Sequence, residues 1–149
     1  MGSYTNLLYH MVIGTKYHQN TIDTNYEKLL YGYFNGTIKN KKGKVVNING
    51  HKNHVHILTY LPPTIAVADF LQVIKTASSR WMKRQKEFGM FSSWQIGYSA
   101  FTVSESRKEV IREYIQDQKR HHFKLTYEEE VKKLLEWHRV NYDPGFLFR

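Results

Sequence analysis

The chain reads as an α+β fold, one antiparallel sheet whose elements run β-α-β-β-α-β, followed by additional C-terminal helices. Three observations predict it. Apolar runs with β-branched and aromatic character alternate with helical periodicity; helix-start signals separate them; and the 149 residues contain no repeat, low-complexity stretch or linker that would divide them. Residues 1–149 are therefore expected to form a single domain.

Leu7 to Lys16 is apolar without a helix-start signal and reads as a central strand. Thr24-Asn25-Tyr26-Glu27 is a capping box, and Tyr26, Leu29, Leu30, Tyr33 and Phe34 follow at helical spacing, so a helix is expected over about 24–38. The charged turn Lys39 to Lys44 leads into Val45–Ile48. Asn49-Gly50 then marks a hairpin, with the turn there or one or two residues later, and Asn53–Leu61 returns as a strand. Pro62-Pro63-Thr64 introduces a second helix to about Glu87, with Val67, Phe70, Leu71, Ile74, Ala77 and Trp81 on its apolar face. Trp94–Val103 alternates as a fourth strand, and Ser104-Glu105 starts a third helix reaching about His121. A second capping box, Thr126 to Glu129, opens a closing helix to about His138. This order is ferredoxin-like or RRM-like.

Lys and Arg number 22 against 13 Asp and Glu, a formal charge of +9, which points to a polyanionic partner. A hydrophobic content of 41% excludes a disordered basic tail, whose apolar surface is too small to offset ordering entropy. Without cysteine there is no disulfide framework, thiolate metal site or catalytic thiol. No stretch approaches the roughly 18 apolar residues of a membrane span, and no signal peptide precedes the first strand, so a cytoplasmic protein without membrane contact is expected.

His54-Val55-His56 lies in a strand, so both imidazoles project from one face and can reach one metal ion; a pair of histidines on a solvated sheet is the alternative. Tyr114 and Gln118 are spaced i, i+4 on a helix and point one way. Gln118 supplies a carbonyl oxygen and Tyr114 a hydroxyl, although Tyr114 also shares a face with Val110, Ile111 and Ile115, as a core tyrosine would. Lys75, Arg80, Lys83 and Arg84 lie on the second helix away from its apolar stripe, and Lys41 and Lys42 in the charged turn; both clusters are candidates for phosphate contacts or simply solvated. His121-His122 reads first as a helix C-terminal cap. Glu128, Glu129, Glu130 and Glu136, set among Lys132, Lys133 and Arg139, read as a mixed-charge surface beside the apolar edge Val131, Leu134, Leu135.

Taken together, His54-Val55-His56-Ile57-Leu58, Trp94 to Ser104, and Tyr114-Ile115-Gln116-Asp117-Gln118-Lys119-Arg120-His121-His122 resemble the small single-tyrosine HUH transposases, including the REP-associated tyrosine transposases. The resemblance begins at His10 and Lys16-Tyr17 and continues through Tyr127, Glu130, Leu134, Tyr142-Asp143 and Phe146-Leu147. It implies that His54, His56 and Gln118 ligate a divalent metal, Mg²⁺ or Mn²⁺. It further implies that Tyr114 attacks single-stranded DNA beside hairpins to leave a 5′-phosphotyrosine, and that the chain forms a homodimer whose tyrosine helix serves its own or its partner's site. Such phosphoester exchange needs no nucleotide cofactor, and no G-x-x-x-x-G-K-[ST] loop is present. Asn53 stands where relatives often carry an acid, and His18 where an Arg is expected. The competing reading is a non-catalytic RRM-like module that stacks bases on an open sheet; its Lys/Arg-Gly-Phe/Tyr signature is absent.

Overall fold

The structure, a computed structural model, describes residues 2–122 and 124–147. Four strands, β1 (Leu8–Gly14), β2 (Lys44–His51), β3 (His54–Tyr60) and β4 (Ser99–Val103), form an antiparallel sheet in the order β2-β3-β1-β4. Helices α1 (Glu27–Asn40) and α2 (Val67–Lys83) cover one face. The segments α3 (Lys108–Gln116), α4 (Gln118–His121) and α5 (Tyr127–Trp137) follow β4.

Strand alternation divides the residues between two layers. Met11, Ile13, Val55 and Ile57 join Leu30, Phe34, Ile38, Phe70, Leu71 and Ile74 of α1 and α2 in the main core. On the opposite face, Val12 and Phe101 pack on Tyr127, Val131, Leu134 and Leu135 of α5, and Leu8 and Leu58 pack on Ile115 of α3. That second face is covered, so the open stacking platform of an RRM-like module is missing.

Several elements differ from the expected boundaries for identifiable reasons. β1 ends at Gly14 because Thr15 turns into a tight helical turn, Lys16–His18, in which Tyr17 (φ 56°) and His18 (φ 55°) adopt the left-handed conformation. Helix α1 starts a turn late: the Asp23 carboxylate accepts from Asn25 N at 2.9 Å, and the Thr24 box is not used. Asn49-Gly50 is not the hairpin turn. Both residues lie in β2 and the reversal is Lys52-Asn53, with Gly50 paired to Val55. Glycine is needed at 50 for close approach, since a Cβ there would sit 2.2 Å from the His54 carbonyl oxygen.

Helix α2 ends at Lys83 rather than Glu87, and a short helical turn, Lys86–Phe88, follows. Trp94 makes one isolated bridge to Thr15 and β4 begins only at Ser99, with Ile96 exposed between them. The third helix breaks at Asp117, where Asn49 Nδ2 donates to the Ile115 and Gln116 carbonyl oxygens, each at 3.0 Å, in place of helical amides. The second capping box forms as expected, Thr126 Oγ1 accepting from Glu129 N at 3.1 Å.

Candidate active site

β3 delivers His54 and His56 to the face covered by α3, α4 and α5, where they converge with Tyr114, Gln118 and His122 on one carboxylate. Glu130 is 1% exposed. Its Oε1 lies 3.0 Å from His56 Nε2, 3.2 Å from His122 Nε2 and 3.3 Å from His54 Nε2. Its Oε2 accepts from Gln118 Nε2 at 2.9 Å and from the Tyr114 hydroxyl. The break at Asp117 does not separate Tyr114 from Gln118, because both still reach this carboxylate. His54, His56 and Gln118 have no exposed surface, whereas Tyr114 is partly exposed.

The hydrogen-bond roles in this cluster leave a gap suited to a cation. His54 Nδ1 donates to Asn53 Oδ1 at 2.8 Å, an orientation fixed by Asn53 Nδ2 donating to the His18 carbonyl oxygen. His122 Nδ1 donates to the Leu125 carbonyl oxygen at 2.8 Å. A neutral imidazole has one N–H, so Nε2 of each ring carries a lone pair. Those lone pairs face Gln118 Oε1, at 2.9 Å from His54 and 3.2 Å from His122, and Glu130 Oε1. Four electron-pair donors thus crowd together with no proton between them. Bonds of about 2.1 Å to one ion place neighbouring ligand atoms about 3.0–3.4 Å apart, which matches most of these separations. His54, His122 and Glu130 by themselves have the geometry of a metal-binding group. The donor set therefore fits the divalent ion that the resemblance implies.

Burial sets the electrostatics. It lowers the His54 pKa to about 4, and it pushes His10 well below its ordinary value, with His56 adding to the effect. For Glu130, burial opposes ionisation, yet the surrounding imidazoles, His56 first, hold the carboxyl well below the usual range. Burial and then the Glu130 charge raise the Tyr114 phenol.

Four of the expected site residues, Tyr114, His54, His56 and Gln118, are brought together. The six expected phosphate contacts are not. Lys75 Nζ donates to the carbonyl oxygens of Ile96 at 2.8 Å and Gly97 at 3.1 Å. Arg80 and Lys83 are exposed on α2 and Arg84 just past its end, in the other layer. Lys41 and Lys42 adjoin Lys44, which pairs with Tyr60 at the far end of β3 from His54, about 20 Å away at strand rise.

Three further residues belong to the cluster. Glu130 is a buried centre and not part of a charged surface. The signal lay in the helical spacing, since Tyr127, Glu130, Val131, Leu134 and Leu135 share one face and Glu130 is the charged member of it. His122 joins the site instead of only capping α4. His10 Nε2 lies 2.7 Å from His56 Nδ1, backing that ring from a buried position on β1. His18, which replaces the expected Arg, pairs with Glu128 at 2.8 Å.

A four-stranded antiparallel sheet with helices packed on both faces carries this cluster, and that architecture is the tyrosine transposase fold. The family model described as IS200-like transposase matches residues 3–118, and the chain belongs to that family. The ISDra2 transposase TnpA of Deinococcus radiodurans is 32% identical over 81 residues, which cover 50% of this chain and 57% of that protein; the chain thus spans little more than half of this curated relative. A candidate transposase from D. radiodurans R1, solved by crystallography, superimposes with a TM-score of 0.60 at 26% identity, covering 79% of this chain and 95% of that one. A REP-associated tyrosine transposase bound to a REP hairpin superimposes with a TM-score of 0.62 at 12% identity, covering 82% and 74%, and shows the shared fold. Among the described residues, no helix is long and apolar enough to cross a membrane.

Proposed function

We propose that residues 1–149 act as one catalytic domain of HUH type that cuts and rejoins single-stranded DNA through Tyr114, with a divalent ion held by His54, His56 and Gln118 together with His122 and Glu130. The observation that carries this reading is the convergence of the Tyr114 hydroxyl and the metal-type donor set on a single buried carboxylate. In the forward step the Tyr114 oxygen forms a bond to phosphorus and the bond from phosphorus to the 3′ oxygen breaks. A 5′-phosphotyrosine and a free 3′-hydroxyl result. Glu130 Oε2, already the acceptor for the Tyr114 O–H, takes the proton, and the same proton then passes to the departing 3′ oxygen. Return attack by a 3′-hydroxyl reverses these changes, so strand transfer needs no nucleotide cofactor. A bound cation supplies positive charge that offsets the charge developing on the phosphodiester.

Imidazole and carboxylate donors together suit Mn²⁺ better than Mg²⁺, which rarely accepts nitrogen ligands. Within one chain Tyr114 and the histidines meet at Glu130, and in a homodimer that exchanged the tyrosine helix the same groups would meet across the interface. The structural relative bound to a REP hairpin lends support to substrate sites beside hairpins, and the +9 charge suits such a polyanion. The same chemistry would serve a mobile element or a domesticated protein that processes genomic repeats.

Covalent trapping tests this reading. Labelled single strands rich in hairpins, incubated with Mn²⁺ or Mg²⁺, are expected to yield a metal-dependent band on a denaturing gel with wild type and none with Tyr114→Phe. An adduct that persists in Tyr114→Phe would remove Tyr114 as nucleophile. Binding without any adduct would favour the non-catalytic single-strand-binding module.

A further inference from the structure

The cations predicted to grip DNA lie away from the cluster, which leaves open how a strand reaches Tyr114. A cavity of about 440 Å³ opens directly beside the cluster, between the β2–β3 turn and the segment joining α4 to α5. Three residues of its wall belong to the site or support it. Asn53 holds His54 Nδ1, His122 Nε2 lies 3.2 Å from Glu130 Oε1, and the Tyr127 ring stacks on His54 with centroids 4.4 Å apart. His122 and the Tyr114 hydroxyl both contact the Glu130 carboxylate.

The remaining lining suits a polyanion. Lys52 and Lys124 contribute exposed ammonium groups that make no ion pair among the described residues. Lys119, the other lysine near the β2–β3 turn, is already committed to Glu27 at 2.8 Å and to the Gly50 carbonyl oxygen at 2.6 Å. The acid at this cavity, Glu129, is engaged by Thr126 in the α5 cap.

Lys52 and Asn20 also line a second cavity of about 700 Å³, so the two adjoin there and together outline a trough. The character of the trough changes along its length. In the outer cavity Lys52 and Lys86 are balanced by Asp23 and Glu87, and the remaining groups include the Asn25 amide, the half-exposed Tyr26 ring and the exposed Met90. Amides can read base edges and an aromatic ring can stack a base, whereas ammonium groups hold phosphates.

We infer that this trough seats the single strand flanking the bond attacked by Tyr114, with phosphates at Lys52 and Lys124 and unpaired bases along Asn20, Asn25 and Tyr26. The inference rests on the function proposed above and adds the path of its substrate. The nucleotides beside the cut are then read in part by protein groups of the loop over residues 19–26.

The test is fluorescence anisotropy with a labelled random-sequence single-stranded oligonucleotide and chelator-treated protein, so that metal occupancy plays no part. Lys52→Ala with Lys124→Ala is expected to weaken binding about tenfold or more and to lower the salt slope by about 1.4, two contacts at about 0.7 each. Lys41→Ala with Lys42→Ala removes the same charge at the far end of the sheet and is expected to change affinity less than about threefold. Mn²⁺ affinity and thermal unfolding are expected to be unchanged in both variants. Tyr26→Ala is expected to weaken binding several-fold with an unaltered salt slope. Equal losses in the two lysine variants, or a loss confined to Lys41→Ala with Lys42→Ala, would overturn the trough and leave the proposed chemistry standing. Failure of the wild type to bind single strands even at low salt would overturn both.

Discussion

On β3, Val55 and Ile57 point toward α1 and α2, while His54 and His56 point toward α3, α4 and α5. All four side chains are equally buried. The first pair meets hydrocarbon, and its burial stabilises the fold in proportion to the apolar area removed from water. The second pair meets a carboxylate, an amide and two further imidazoles, groups whose desolvation costs free energy unless each finds a partner. Leu58, on the same face as His54 and His56, shows that hydrocarbon fits there too. The histidine end of this face therefore gives up stability that its neighbour retains, as expected where residues are kept for chemistry.

The largest effect should come from the hydrocarbon face. Phe70 has no exposed surface, and Phe70→Ala is expected to cost about 3–5 kcal/mol by denaturant titration, unaffected by metal or by pH between 5 and 8. On the polar face Glu130→Ala removes the shared acceptor and is expected to cost about 3 kcal/mol in chelator-treated protein, with Glu130→Gln costing less because an oxygen remains. The metal response distinguishes the faces further. At a hundredfold excess of Mn²⁺ over its Kd the wild type and Phe70→Ala should both gain about 2.7 kcal/mol, and Glu130→Ala far less. A Glu130→Ala variant as stable as wild type and equally responsive to Mn²⁺ would return Glu130 to the solvated surface that its neighbours Glu128 and Glu129 occupy.

Acid should weaken the polar face alone. In metal-free protein the folded His54 has a pKa of about 4, so between that value and about 6.5 the unfolded chain binds a proton that the folded chain does not. The contribution is complete above 6.5 and is lost as pH falls toward 4, about 2 kcal/mol of it between pH 7 and pH 5 if His54 acts alone. His10 shifts in the same direction and adds to the loss. Denaturant midpoints at the two pH values measure it, and a stability unchanged over that interval would show that His54 is not held neutral.

The contrast between the faces also explains what could be read from the sequence. Val67, Phe70, Leu71 and Ile74, and the alternation along β1 and β3, announce the layers because hydrophobic burial leaves a periodic trace. His54, His56, Tyr114 and Gln118 were legible through their spacing and their order along the chain. The boundaries that moved depend on local competition or on distant partners: the Asp23 side chain displaces the Thr24 box, Gly50 serves packing against His54 rather than a turn, and Asn49, far away in the chain, helps end α3. His122 was legible only as the end of the motif running from Tyr114, since by itself it reads as a helix cap; it reaches the cluster beyond the break at Asp117. Glu130 did leave a trace, a lone acid on an apolar helical face, but it sits within a run of three glutamates that reads as solvent-facing charge.

Tyr114→Phe is the mildest change and the sharpest test of the comparison. Its ring packs against the apolar cluster of Leu8, Leu58 and Ile115, contacts that phenylalanine keeps. The hydroxyl donates to Glu130 Oε2, and without it that oxygen still accepts from Gln118 Nε2 at 2.9 Å. The charged acceptor is thus not orphaned, and the expected cost is about 1 kcal/mol, near the net value of one hydrogen bond. Metal affinity should be essentially retained, because the phenol is not among the crowded electron-pair donors. A loss of several kcal/mol would mean that Tyr114 serves the fold as a core tyrosine. A near-native stability combined with complete loss of the covalent adduct would place this hydroxyl where the polar face predicts it, as a group kept for reaction and contributing little to folding.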